Sequence, residues 1–179
     1  SLVRAVASGI SPGTERLVAS GRISADQDTV MGCRYMEGSF ALPVKYGYSL
    51  VGIGITGALQ GHRVFTMHPH QTLACVQDDH TVILPDHIGD ARATLFPNLE
   101  TAVSGVGDAA LRPAEQAVVV GAGPVGLLLA FVLRRETGTP TIVMEPDADR
   151  AAFAADLPWV GEVLSPQDAD GAHDVALHA

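Results

Sequence analysis

The run Gly121-Ala122-Gly123-Pro124-Val125-Gly126 constrains this chain more than any other stretch. It follows three valines, Val118 to Val120, and leads into VGLLLAFVLRRE, residues 125–136, with Gly138 just behind. Three consecutive β-branched residues read as a buried strand, and the apolar segment reads as a helix for which Gly138 is the C-cap. In a G-x-G-x-x-G turn between strand and helix, the first glycine permits the tight turn and the second lets a pyrophosphate approach the backbone. The third allows close packing of helix on strand, and the helix N-terminus favours phosphate charge. TIVMEP then reads as a second strand ending in Glu145, 19 positions after Gly126, where a carboxylate accepts hydrogen bonds from a ribose. The plainer alternative is an ordinary βαβ turn with an exposed Glu. Strand, glycines, helix, strand and acid all in place predict dinucleotide binding by Gly121, Gly123, Pro124, Val125, Gly126 and Glu145.

Beyond Glu145, DADRAAFAADL (147–157) reads as a helix, and EVL (162–164) and DVALHA (174–179) read as strands. This alternation predicts a parallel sheet with right-handed crossovers. About four strands fit where a doubly wound sheet needs about six, so the sheet is expected to be incomplete and the chain to be part of a longer protein. Trp159 and Phe153 are expected to pack into it, and Arg134-Arg135-Glu136 to form a solvated helix end.

The first part of the chain has a different rhythm. LVRAVAS (2–8), YSLVGIGI (48–55), HRVFTM (62–67), TLACV (72–76) and TVILP (81–85) are short β-prone runs separated by Gly and Pro. Residues 89–110 lack such punctuation and predict a helix capped by Asp90 and kinked or divided at Pro97. Two domains are expected, 1–114 β-rich and 115–179 with the parallel sheet, an α/β chain as a whole.

Composition removes several function classes. With 11 basic against 20 acidic residues the formal charge is −9, which offers nothing to a phosphate backbone, so nucleic acid is not an expected partner. The uncharged stretch 117–133 is too short for a bilayer and carries three glycines and a proline, so no membrane span is expected. Cys33 and Cys75 are too few for a disulfide framework. They suit a reducing, cytoplasmic setting.

SGISPGTE (8–15), PVKYGYSLVGIG (43–54), GHRVF (61–65) and LPDHIGDARATLFPNLETAVSGV (84–106), followed by the glycine motif, resemble in order the landmarks of the medium-chain dehydrogenase/reductase superfamily. That superfamily contains the zinc alcohol dehydrogenases and quinone reductases. The resemblance implies an N-terminal GroES-like domain and a partial Rossmann domain. It also implies hydride transfer between NAD(P) and a small alcohol or carbonyl, and a homodimer or homotetramer. SGISPGTE is also similar to the opening of the bacteriochlorophyllide hydroxyethyl dehydrogenases, which makes a large flat alcohol a minor alternative. A module that binds the dinucleotide without catalysis remains the second function class, because fold does not fix function.

The departures from that family bear on chemistry. Ser11, Tyr48-Ser49 and Asn98-Leu99 stand where zinc enzymes carry their ligands, and the cysteine-rich structural lobe is missing, so no zinc is expected. A metal held by His68 and His70 on one face of a strand, with Cys33 or Glu100, is the weaker alternative. Without zinc a proton donor is required. Tyr48, at the position of a zinc ligand, is the first candidate and His70 the second, with Ser11 and Thr14 also placed by the resemblance on the active-site segments. Glu145 predicts NAD over NADP, since a 2′-phosphate would meet like charge. Asp147 and Asp149 are expected to compete for Arg150, the nearest arginine.

Overall fold

The computed structural model describes residues 1–112, 115–138, 140–168 and 175–179. The chain forms two compact units, Ser1–Pro97 and Asn98–Ala179. The expected boundary at 114/115 touches Ala114, which lies outside the described residues. The helix before it belongs with the second unit, because Ala102, fully buried, joins that unit's core.

In the first unit, β1 (Leu2–Ser8) is followed by a short helix α1 (Thr14–Ala19), a single turn α2 (Asp28–Met31) and a two-residue ladder of β2 (Glu37–Gly38) with β3 (Val44–Lys45). Then come β4 (Leu50–Gly54), β5 (Arg63–Thr66), β6 (Leu73–Cys75) and β7 (Thr81–Ile83). The five longer strands make an antiparallel sheet in the order β6-β1-β4-β5-β7. One face of it buries Val3, Leu50, Val64 and Ala74, and a second cluster holds Val51, Phe65, Leu84 and Ala93. Successive strand side chains point to opposite faces, so Leu50 and Val51 enter different clusters. Every run expected as a strand in this unit contains one, the first over its full length and the other four with trimmed ends. The helix α1 and the β2–β3 ladder were not expected.

The stretch 89–110 is divided at its proline. A single turn α3 (Asp90–Ala93) precedes α4 (Phe96–Ala109). Pro97 is the second residue of α4, where no intrahelical N–H is lost. Asp90 does not cap: Gly89 holds that position, and the Asp90 carboxylate takes two bonds from Arg63, at 3.2 and 2.7 Å.

The second unit continues with β8 (Ala117–Val120), α5 (Pro124–Thr137), β9 (Thr141–Met144), α6 (Ala148–Ala155), β10 (Val160–Leu164) and β11 (Val175–His178). Asp174, the first residue of the expected last strand, lies outside the described residues. All the pairings are parallel, in the order β10-β9-β8-β11. This is the 3-2-1-4 order of a doubly wound sheet, with the chain reversing its direction of growth between β8 and β11. Val119, Leu129, Ala130, Leu133 and Val143 form the core between α5 and the sheet. Trp159 packs there as expected, donating its indole N–H to the Leu127 carbonyl at 3.2 Å and meeting Phe131 edge to face. Phe153 does not. It is 61% exposed, because α6 turns the small Ala154 to the core and leaves Phe153 on the outer side.

Candidate functional site

Two clusters carry chemistry, one in each unit. In the second, β8 ends at Val120 and the chain turns through Gly121 with φ +105°, a conformation that suits glycine. Gly123 then occupies the N-cap of α5 with no side chain capping the helix, and Pro124 opens the first turn. A Cβ on Gly123 would meet nothing within 4 Å, so its backbone faces open space. A Cβ on Gly126 would lie 1.9 Å from the Gly121 carbonyl oxygen, so the third glycine is a packing requirement.

Glu145 follows β9 directly, and its side chain is only 3% exposed. Its Oε2 accepts the Ala122 N–H at 2.8 Å, tying the carboxylate to the glycine turn. Its Oε1 accepts from the Asp147 N–H at 2.9 Å and from the Arg150 guanidinium at 2.9 Å. These donors, Arg150 foremost, hold its pKa down at about 2 against the opposing effect of burial. Asp147 Oδ1 caps α6 through the Arg150 backbone N–H at 3.0 Å. The expected competition of aspartates for Arg150 is therefore corrected: its guanidinium pairs with Glu145, because a buried carboxylate needs a cation more than a solvated one does. An uncapped helix start, a glycine turn with room above it and an ionised carboxylate at the adjacent strand end fit a dinucleotide's pyrophosphate and ribose.

The second cluster lies in the first unit, around His70. Its Nε2 contacts Glu15 Oε1, and its Nδ1 contacts Ser8 Oγ. Glu15, 8% exposed, also takes the Ser11 backbone N–H on its other oxygen. Ser11 Oγ in turn accepts the Thr14 N–H at 3.2 Å, so both hydroxyl candidates belong to the turn that presents Glu15. Gly47, at φ +126°, makes room for the imidazole: a Cβ there would sit 2.6 Å from His70 Nε2. The Gly47 carbonyl accepts from Cys33 Sγ at 3.0 Å, and burial pushes the Cys33 thiol pKa up. Tyr46 donates its hydroxyl to the Met31 carbonyl at 2.7 Å, and burial raises its pKa to about 12.

Tyr48 is half-buried, its ring edge-on to Tyr46 at 6.2 Å, and no partner for its hydroxyl occurs among the described residues. His68 and His70 do not share a face. Both lie beyond β5, outside any strand, so the alternation that would align them is lost. His68, 2% exposed, stacks on Tyr35 at 4.7 Å, and burial lowers its pKa. Among the described residues no three His, Cys, Asp or Glu side chains converge as a metal site. Ser8 and Glu15 escaped sequence reasoning. The only available signal was a Glu within an otherwise small and polar turn, SGISPGTE.

No family model matches the chain. An L-arabinitol 4-dehydrogenase from Talaromyces emersonii is 32% identical over 82 residues, which is 44% of this chain and 21% of that protein. Among solved structures, L-idonate 5-dehydrogenase from Escherichia coli K-12 superposes with a TM-score of 0.76 at 13% identity, over 99% of this chain and 61% of its own. The quinone oxidoreductase of Thermus thermophilus, solved also with NADPH, gives 0.68 at 20% identity over 92% of this chain and 50% of its own. An alcohol dehydrogenase from Escherichia coli CFT073 complexed with NADH gives 0.58 at 17% identity, over 68% and 47%. The chain spans about half the length of these structures.

Proposed function

We propose that the chain belongs to an NAD(P)-dependent oxidoreductase of the medium-chain dehydrogenase/reductase superfamily, a reading supported by its two-part fold, a GroES-like unit followed by part of a Rossmann sheet. The whole protein would transfer hydride between a nicotinamide cofactor and a small alcohol or carbonyl. The observation that carries this reading is the Glu145–Ala122 hydrogen bond at the glycine turn, which places an ionised acceptor beside an uncapped helix start. Gly121, Gly123, Pro124, Val125 and Gly126 would hold the pyrophosphate, and Glu145 the adenosine ribose. The cofactor supplies the hydride.

The reading includes no zinc, since a serine, a tyrosine and an asparagine, Ser11, Tyr48 and Asn98, make a poor zinc donor set. Of the proton donors proposed from sequence, His70 has the best support, because it is held from two sides while Tyr48 has only a ring contact. Ser11 and Thr14 shape the turn. The assembly is proposed to be a cytoplasmic homodimer or homotetramer. No described helix is long and apolar enough to cross a membrane. The test uses the full-length protein: titration with NADH and NADPH, then carbonyl reduction followed by loss of nicotinamide absorbance. Cofactor binding without turnover on a broad panel favours the sensing module. Absence of cofactor binding removes both readings.

A further inference from the structure

We infer that Arg150 holds the place on Glu145 that a ribose hydroxyl would take, so that side chain and cofactor compete for one carboxylate oxygen. The inference deepens the oxidoreductase reading above, rests on it for the identity of the ligand, and concerns the second unit alone.

Glu145 has little room left for a ligand. A carboxylate oxygen offers about two lone-pair sites. Oε1 already accepts twice, from the Asp147 N–H and from the Arg150 guanidinium, each at 2.9 Å. Oε2 accepts once, from the Ala122 N–H at 2.8 Å. One site is therefore open, whereas the 2′- and 3′-hydroxyls of a ribose bring two hydrogens. The side chain is also only 3% exposed, so a ligand reaches the carboxylate only when one of its neighbours moves.

The three donors differ in what moving them entails. The Ala122 N–H belongs to the glycine turn. The Asp147 N–H belongs to the residue that caps α6, whose own carboxylate takes the Arg150 backbone N–H at 3.0 Å. Withdrawing either would undo the local fold that places Glu145. Arg150 is different. Its backbone is fixed in the first turn of α6, but its side chain is 58% exposed. Among the described residues its guanidinium bonds to Glu145 and to nothing else. Rotation about the side chain's own bonds takes it into solvent and leaves Oε1 to a ligand. Ion pairs with one partner in solvent are held weakly, so a ribose can replace this one, the carboxylate exchanging a charged donor for a hydroxyl. Only molecules with Arg150 turned out accept both hydroxyls, and apparent affinity is lowered by that fraction. A 2′-phosphate has no hydrogen to give Oε1 and gains less from its release.

The test is calorimetric titration of the full-length protein with NADH, NADPH and ADP-ribose, which carries the same adenosine ribose. Arg150→Met keeps an unbranched side chain and removes its charge and donors. It should tighten NADH and ADP-ribose at least about threefold, the scale of a half-exposed ion pair, and tighten NADPH less. Unchanged or weaker NADH binding in a folded Arg150→Met overturns the inference, since Arg150 would then be a bystander or would itself hold the cofactor. An equal gain for NADPH also overturns it, because the obstacle would then be bulk and not competition for Oε1. Should Arg150→Met fail to fold, the unmutated protein carrying ¹⁵N-labelled arginine decides. A guanidinium held on Glu145 rotates slowly and gives separate Nη signals, assigned by their loss in Arg150→Lys. Saturation with ADP-ribose should merge them, and signals that stay separate overturn the inference. An unmutated protein that binds neither NADH nor NADPH fails the oxidoreductase reading and the inference together, whereas one that binds NADH no more weakly than Arg150→Met does fails the inference alone.

Discussion

Glu145 is a structural hub of the second unit as well as the proposed ribose acceptor. Its carboxylate joins the glycine turn, the start of α6 and Arg150 through bonds of 2.8 to 2.9 Å. Its folded pKa, about 2, lies below its ordinary 4.5. A depressed carboxylate contributes stability that is complete above its unfolded value and is lost as pH falls through the folded one. Acid unfolding followed by circular dichroism should therefore show a stability loss between about pH 4.5 and 2 that Glu145→Gln removes. The same residue is proposed to set cofactor choice: a 2′-phosphate would face its charge, while a free ribose hydroxyl would donate to it. Preference for NAD(H) over NADP(H) is expected to be at least about tenfold, or about 1.4 kcal/mol. Glu145→Ala should narrow it mainly by weakening NAD(H), as read by fluorescence titration of the full-length protein. Equal or tighter NADPH binding to the unmutated protein would overturn the assignment.

Among the elements, the β8–α5–β9 unit was the most legible in sequence, because its signals agree: β-branched strand, glycine turn, apolar helix, Gly138 at the C-cap with φ +73°. Pro97 was legible as a break for the same local reason. The short helix α1 was not, since six residues carry too little periodicity and its place is set by tertiary contacts of Val18 with Ile23 and Phe40. The His70 cluster was half legible. His70 was a candidate in its own right, but it lies 55 residues beyond Glu15, and only the fold brings it to the turn that carries Ser8 and Glu15. Gly126 gives the sharpest test at this scale. Gly126→Ala pushes a methyl against the Gly121 carbonyl, and overpacking of this kind typically destabilises by about 1–3 kcal/mol. It should also displace the turn and reduce NADH affinity. A thermal midpoint and affinity equal to the parent's would show that the turn is looser than the packing implies.

At the scale of the whole molecule, the proposal that this architecture works without zinc rests on the chemistry of the residues at the positions of the ligands. In a zinc dehydrogenase the ion polarises the carbonyl, and its ligands are thiolate, imidazole or carboxylate. Here Ser11 is occupied by the Thr14 N–H. Tyr48 sits edge-on to another tyrosine. The two imidazoles of the His-Pro-His segment are dispersed, His68 on Tyr35 and His70 between Glu15 and Ser8. Binding zinc at His70 would require Glu15 to give up its contact with the imidazole, and the thiol in that cluster, Cys33, is held on the Gly47 carbonyl and kept protonated by burial. Among the described residues no three ligating side chains converge there, and His70 is instead proposed as the proton donor. The full-length protein purified without added metal is therefore expected to contain far less than one zinc per chain by elemental analysis, and its carbonyl reduction to persist after a chelator wash. Zinc near one per chain that survives the wash, with activity lost when a stronger chelator removes it, would mean that residues beyond this chain complete a metal site and that His70 is a ligand and not the acid.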